Sequence, residues 1–445
     1  MEFVADLHLH SRYSRAVSQS MNLLTMANFA REKGLNLLSS SDFTHPVWLK
    51  EVKSQLKETS EGIYQLAEDG KDKTPVYFLF ATEIASIYKQ GDKLRRIHNL
   101  IFAPNIETVE KINSALIKRG ANLSSDGRPI IGITSKALLE LILRIDENCM
   151  LIPCHVWTPH FGVYGSKSGF DSLTECFEDL TKYVYAIETG ISSDPEMNWR
   201  VKELENRSIV SFSDAHSPAN MAREATAFEL KDITYENIKK AISRTGKLDN
   251  RISYTIEFYP EEGKYHFSGH RNCKISFSPE QIKEKGTICP VCKREFTEGV
   301  AVRIKQLAGA NFAKGYLEKE SANGVKWYTD STKHHPPYVK LVRLIQIVAE
   351  SLVSTPTSLK TKAVYENLWK SLGPELTILL KTPLPEIAKI GGDKVAEGVV
   401  RVRRGQINVT AGFDGEYGKI KVFGQGNAGQ KEEQNNISSQ LGIDF

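Results

Sequence analysis

A chain of 445 residues, 40% hydrophobic and 25% charged, has the apolar content for two or three packed domains and is not a largely disordered polymer. Its net charge of +4 conceals an asymmetry, since residues 1–260 hold 31 Lys+Arg against 34 Asp+Glu, a net −3, which leaves +7 for the remainder. The opening MEFVADLHLH has no basic segment before an apolar run, no apolar stretch reaches about 18 residues, and six cysteines are too few for a disulfide framework; the expectation is a protein of the reducing cytoplasm without a membrane span.

Short apolar runs alternate with helical patterns through the first 250 residues. Residues 3–5 stop at Asp6, His8 and His10. A helix follows over Leu23–Lys33, with Asn22 as N-cap and Gly34 as its terminal glycine. Residues 35–38 run into Ser39, Asp42 and His45, and residues 76–81 end at Glu83. His98 precedes the run 99–102, and a second helix, Ile106–Lys118, closes at Gly120. Residues 150–153 end at His155, 183–187 at Glu188, and 208–212 at Asp214 and His216. This alternation predicts a parallel sheet, and about seven such units close a barrel whose chemistry lies at the C-terminal ends of its strands.

His8 and His10, two apart on an extended segment, share one face, as two ligands of one ion require. Asp214 and His216 repeat that spacing, Glu83 offers a carboxylate able to bridge two ions, and His45, His98 and His155 complete the set. Mixed His and carboxylate ligation suits zinc, manganese or iron better than magnesium. Directly after His155, residues 157–170 (WTPHFGVYGSKSGF) combine aromatics, glycines and Lys167, which predicts base stacking on Trp157 and a phosphate contact at Lys167.

In the second half, His270-x2-Cys273, a gap of fifteen residues and Cys289-x2-Cys292 have the spacing of a closed structural zinc site, with His266 as an alternative fourth ligand. Cys149, Cys154 and Cys176 are isolated and read as buried apolar residues. Helices are predicted over 338–352, 361–372 and 384–390, followed by Gly391-Gly392 and a helix Asp393–Arg403, a helix–glycine turn–helix in the manner of helix-hairpin-helix modules. Arg401, Arg403 and Arg404 form the densest basic cluster and are expected to contact phosphates. Residues 409–423 read as glycine-punctuated β structure, 424–439 as a flexible tether, and 440–445 as an apolar docking peptide.

The ordered motifs Asp6-Leu7-His8-Leu9-His10, Ser41-Asp42 with His45, Glu83, His98, His155 and Ser213-Asp214-Ala215-His216 resemble the PHP (polymerase and histidinol phosphatase) phosphoesterases. That resemblance implies a fold of class α/β, a distorted (β/α)7 barrel, with up to three metal ions that cleave phosphate esters through an activated water. Carried over by motif, a first ion takes His8, His10, Glu83 and Asp214, a second shares Glu83 and adds His98 and His155, and a third takes His45 and His216. Asp214, His155 and His216 are the expected catalytic residues. The chain departs from the family at Ala16, where many members place His or Asp, and at the stretched Asp42-Phe43-Thr44-His45.

Adding the zinc knuckle, His335-Pro336-Pro337-Tyr338 and Gly412-Phe413-Asp414-Gly415-Glu416-Tyr417-Gly418, nearly the whole chain resembles the endonuclease Q family. The resemblance implies a barrel over 1–260, a zinc module over 261–300, a mainly helical DNA-binding region over 301–423 and a tail over 424–445. It also implies a DNA repair endonuclease, nucleoid-associated in the bacterial cytoplasm, that cuts 5′ to deaminated bases (uracil, hypoxanthine, xanthine) and abasic sites in damaged DNA. Structural Zn²⁺, with Zn²⁺ in the barrel and Mn²⁺ or Mg²⁺ for activity, are the implied ions. Gln440, Leu441, Ile443 and Phe445 resemble the QLxLxF-type peptide that docks on the polymerase sliding clamp. Two competing readings are a histidinol-phosphatase-like small-molecule enzyme, which leaves the zinc knuckle and tail without a role, and a non-catalytic DNA-binding scaffold.

Overall fold

The structure is a computed structural model that describes residues 1–70, 73–309 and 315–424. The clamp-type peptide, with Gln440, Leu441, Ile443 and Phe445, lies outside the described residues. In chain order the first part comprises β1 (Glu2–Asp6), α1 (Leu23–Lys33), β2 (Leu37–Ser39), α2 (Pro46–Gln55), β3 (Leu56–Ser60), β4 (Ile63–Leu66), β5 (Tyr77–Gln90), β6 (Lys93–Ala103), α3 (Ile106–Lys118), β7 (Ile130–Ile131), α4 (Ser135–Ile145), β8 (Met150–Pro153), α5 (Leu173–Phe177), β9 (Ala186–Glu188), α6 (Pro195–Trp199), β10 (Ser208–Val210), β11 (Ala225–Leu230), α7 (Tyr235–Ile242) and β12 (Asn250–Glu257). α1 has the bounds its signals predict: the Asn22 side chain accepts from the Thr25 amide, and Gly34 takes the left-handed φ of 92° that ends the helix.

Successive residues of the barrel strands are buried on opposite faces. Leu79, Leu100, Met150, Ile152, Val210 and Phe212 fill one core, while their neighbours Phe78, Phe80, Ile101, Leu151 and Ile209 pack in the other. Burial on both faces is why these strands read as unbroken apolar runs rather than alternating ones. The direction of the strands is mixed where an all-parallel sheet was expected. β1, β2 and β5 are parallel, but β6 returns antiparallel to both β5 and β8, and β11 runs antiparallel to β1. β9 and β10 pair in parallel. The reversal of β6 explains why His98 precedes its apolar run: the buried half of this reversed strand begins at the rim that parallel strands reach at their ends.

The second part continues with β13 (Ser268–His270), β14 (Ile275–Phe277), α8 (Pro279–Lys285), α9 (Val300–Ala308), β15 (Tyr316–Glu320), β16 (Lys326–Asp330), β17 (Tyr338–Lys340), α10 (Leu344–Ser351), α11 (Leu359–Leu372), α12 (Glu375–Leu380), α13 (Leu384–Gly391), α14 (Asp393–Arg403), β18 (Asn408–Thr410) and β19 (Lys419–Lys421). Residues 338–352 are not one helix. β17 takes the first three, in parallel with Thr255–Glu257 of β12 and beside β16, and α10 begins only at Leu344. The open edge of β12 offers Tyr338 and Val339 a ladder, and aromatic and β-branched side chains suit that half-buried surface. Among the described residues, no helix is long and apolar enough to cross a membrane.

One buried carboxylate ties the helical region to the barrel. Glu375 accepts from Lys33 Nζ of α1 (2.5 Å), the Tyr365 hydroxyl (2.7 Å) and the Leu344 amide (2.9 Å). Burial alone would raise its pKa, but Lys33 and Tyr365 hold it below the usual carboxylate range. Glu375→Ala leaves Lys33, 3% exposed, as an uncompensated buried charge. The expected cost is about 3–5 kcal/mol, read as a lower denaturant midpoint.

Candidate metal centre

The segment after β1 continues extended, so Leu7 and Leu9 enter the core while His8 and His10 face the rim. Leu9 bridges in parallel to Ala215, and the His10 amide donates to the Ala215 carbonyl (3.3 Å), which brings Asp214 beside His10. Glu83 of β5 pairs with Leu100 of β6, so His98, two residues before Leu100, lies on the same face one step along. His155 follows β8.

Glu83 stands at the middle and faces both ways. Its Oε2 lies 3.6 Å from His8 Nε2 and 3.3 Å from His10 Nε2; its Oε1 lies 2.5 Å from His98 Nδ1 and 3.2 Å from His155 Nε2. Asp214 Oδ1 lies 3.1 Å from His10 Nε2 and 3.8 Å from His8 Nε2. Three sets of donor atoms lie within 4.8 Å of one another here: His8, His10 and Glu83; Glu83, His98 and His155; and His10, Asp214 and His216. His8 Nε2, His10 Nε2 and Asp214 Oδ1 are buried and make no well-aligned hydrogen bond. Buried polar atoms are normally satisfied, and three unsatisfied ones aimed at one point fit divalent cations.

The remaining histidine nitrogens are fixed from behind. Glu188, at the end of β9, accepts from His8 Nδ1 (2.8 Å) and from the His155 amide (2.8 Å). Asp42 Oδ1 lies 3.2 Å from His10 Nδ1, and its other oxygen accepts from the Ser11 amide and the Ser11 and Ser14 hydroxyls. With the proton held on Nδ1, Nε2 of His8 keeps its lone pair for a metal. Glu188→Gln is expected to lower metal affinity 10–100-fold without unfolding the chain, as measured by titration calorimetry and circular dichroism.

Strain and charge concentrate at the same place. Asp42, His155 and Asp214 have left-handed φ of 37°, 29° and 46°, each costing about 1–2 kcal/mol. Gly190, φ 50°, passes so close to His155 that a Cβ there would overlap it. Burial would raise Glu83, but His98, Arg128, His10 and His155 hold it well below its ordinary range, and Asp214 is held down against burial by His216, His8 and His10. Burial would lower His8 and His10, but the surrounding carboxylates push both well upward. His98, with burial the larger influence, falls to about 4. The field that favours protons on His8 and His10 favours metal cations equally.

Residues 343–406 match the family model described as the MJ0043 C-terminal domain. An uncharacterised protein of Methanocaldococcus jannaschii is 30% identical over 271 residues, 59% of this chain and 31% of that protein, so the chain spans about a third of that relative's length. The uncharacterised Bacillus subtilis protein YqxK is 26% identical over 431 residues, 94% of this chain and 98% of its own. The lesion-specific endonuclease PfuEndoQ of Pyrococcus furiosus has a crystal structure similar to this one, with a TM-score of 0.79 at 28% identity over 95% of both chains. A structure of endonuclease Q in complex with a 27-mer duplex substrate carrying an abasic lesion at the active site gives a TM-score of 0.79 at 29% identity, covering 95% of this chain and 96% of that one. Over nearly its whole length the chain is similar to endonuclease Q.

Several residues singled out above take other places. His45 is not brought to His216; it caps α2, 3.4 Å from the Trp48 amide, and stacks on Tyr13 at 4.6 Å. Trp157 is buried, donates to Asn198 (2.8 Å) and stacks on Tyr164, so it presents no face to a base. Phe161 from the same loop instead covers His98 at 4.4 Å, and Lys167 is exposed. Arg403 is no phosphate contact: it is 2% exposed and donates to the carbonyls of Leu379, Ile378, Thr382 and Asn323, closing the C-terminal end of α12. Arg401 pairs with Glu397, and Arg404, half-exposed, lies 3.6 Å from Glu320.

The donor atoms of His270, Cys273, Cys289 and Cys292 lie within 4.8 Å of one another and could hold zinc; His266 lies outside the group. The Arg294 amide and the neighbouring thiols lower Cys292 to about 6, which favours the thiolate a metal needs. Cys149, Cys154 and Cys176 are buried and unpaired. Arg128, 3.3 Å from Glu83 Oε2, was not foreseen; it comes from a loop with no periodicity to mark it. Glu188 and Asp42 were visible at strand ends, but their role behind the histidines was not.

Proposed function

We propose that this chain is a metal-dependent DNA repair endonuclease that hydrolyses the phosphodiester bond 5′ to a deaminated base (uracil, hypoxanthine or xanthine) or an abasic site. The observation that carries the reading is the convergence of three buried, unsatisfied atoms of His8, His10 and Asp214 beside a Glu83 carboxylate shared with His98 and His155. Divalent ions bound there supply charge neutralisation of phosphate oxygens and acidify a water. The protein's own part is to hold that charge. Glu83 spans two donor sets, Arg128 adds a partly buried guanidinium at the same rim, and Glu188 and Asp42 keep the imidazoles in line. His216 holds Nδ1 against the Asp214 carbonyl (2.9 Å), which leaves Nε2 for a proton or a further ion. Likeness to an endonuclease Q structure that holds a duplex with an abasic lesion supports damaged DNA as the substrate. A lesion that pairs poorly costs less to unstack and turn outward, which gives selectivity a physical source.

Purified protein with Mn²⁺ or Mg²⁺ should nick uracil-, hypoxanthine-, xanthine- or abasic-containing duplex once, 5′ to the lesion. Equal cutting of undamaged duplex defeats the specificity, and turnover of a soluble phosphomonoester without nicking favours a phosphatase. For residues 440–445 we propose docking on the sliding clamp; their deletion should abolish clamp binding in surface plasmon resonance and leave nicking of a short duplex unchanged.

A further inference from the structure

The barrel end opposite the metal centre carries a cleft of about 420 Å³. Ser208 opens β10, whose far end leads to Asp214, and Asn250 and Arg251 open β12 beside Leu230, which is bonded to Met1 at the start of β1. Six residues of extended chain from Ser208 to Asp214 span roughly 20 Å. The cleft is lined by Arg207, Arg244, Lys247, Arg251 and Lys333, and no Asp or Glu is among its lining residues. Among the described residues, Arg251 pairs with Glu229 at 2.6 Å, and Glu205 reaches the lining His334 at 3.2 Å. Arg207 and Arg244 spend their donors on main-chain carbonyls, those of Val184 for the first and of Glu205 and His334 for the second, so their charge is not cancelled. Arg207 Nε is buried with no acceptor, a donor that an entering oxygen would satisfy. Lys247 and Lys333 are exposed. Arg244, Lys247 and Lys333 all sit on left-handed backbone, φ 61°, 54° and 59°. Arg207, Arg244 and Lys247, from a region of net −3, are joined here by Lys333 from the second part, a local reversal of sign around one concavity.

We propose that this cleft anchors the phosphate backbone of nucleic acid at a second position, remote from the metal centre. The proposal takes DNA as its ligand from the nuclease reading above, and the cleft supplies the site. Four cations match two or three successive phosphates, each contact releasing counterions and adding about 0.9 to the salt dependence of binding. A remote anchor of this kind holds DNA that the protein has not cut, independent of sequence.

The test is binding of an undamaged, fluorescein-labelled duplex to the full chain and to Lys247→Gln/Lys333→Gln, two exposed positions outside the proposed catalytic machinery. The slope of log K against log salt is expected to fall by about 1.8, while the saturating rate on a short lesion duplex is unchanged. An unaltered slope overturns the proposal. Tripolyphosphate binding that the double variant loses, with no change in the DNA slope, overturns it too by assigning the cleft to a small polyphosphate. Asp214→Ala should keep this binding while losing cleavage, so failure of the anchor and failure of the nuclease reading are read separately.

Discussion

Glu83→Gln is expected to lower cleavage of a lesion-bearing duplex by about 10³-fold, or ~4 kcal/mol of transition-state stabilisation, and to reduce the divalent metal retained per chain. Its two oxygens serve different donor sets, with His8 and His10 on one side and His98 and His155 on the other. The amide keeps the size of the side chain but loses the negative charge, and one end becomes a donor pointed at imidazole nitrogens. The electrostatic balance shifts as well: Arg128, 16% exposed at its side chain, loses its 3.3 Å partner. The fold should survive, because the flanking strands bury Leu79, Ala81, Leu100 and Phe102 whether or not position 83 is charged. Metal analysis, circular dichroism and single-turnover nicking are read together. Activity within tenfold of the parent and unchanged metal content would show that Glu83 does not bridge the two sets.

Cys289→Ser is expected to release one zinc per chain and to unfold residues 268–297 locally while the barrel still melts as before. The magnitudes point this way. From Arg271 to Thr297 only Cys289 and Phe296 are buried apolar residues, and Phe277 meets Phe296 edge-on at 5.1 Å. Full burial of one such side chain stabilises by about 1.5–3 kcal/mol, whereas structural zinc in small fingers contributes about 10–16 kcal/mol at neutral pH. Hydrogen exchange of that segment is the readout. Zinc affinity should also fall as pH drops, because protons compete with the ion for the thiolates. Retained protection in the zinc-free variant would mean that the hairpins stand without metal.

Much of the candidate centre was legible because its determinants are local. An extended His-x-His needs only the two-residue period to place both rings on one face, and Asn22 and Gly34 bound α1 without help from tertiary contacts. What escaped depends on partners distant in sequence. The charge of Arg403 is plain, but its burial depends on carbonyls from Asn323 and 378–382. Trp157 lies beside a ligand in sequence, yet Asn198, 41 residues on, draws its indole inward. Tyr338 and Val339 have a helical continuation in sequence, and only the free edge of β12 turns them into a strand. His98 was placed before its apolar run, and the hairpin that reverses β6 supplies the reason.

The most direct measurement is anomalous diffraction from crystals of the full chain grown with Mn²⁺ or Zn²⁺. The account predicts peaks at about 2.0–2.2 Å from His8 Nε2, His10 Nε2 and the carboxylate oxygens of Glu83 and Asp214, with a second peak between Glu83, His98 and His155. A well-ordered rim with those side chains in place, and no anomalous density among them, would contradict it.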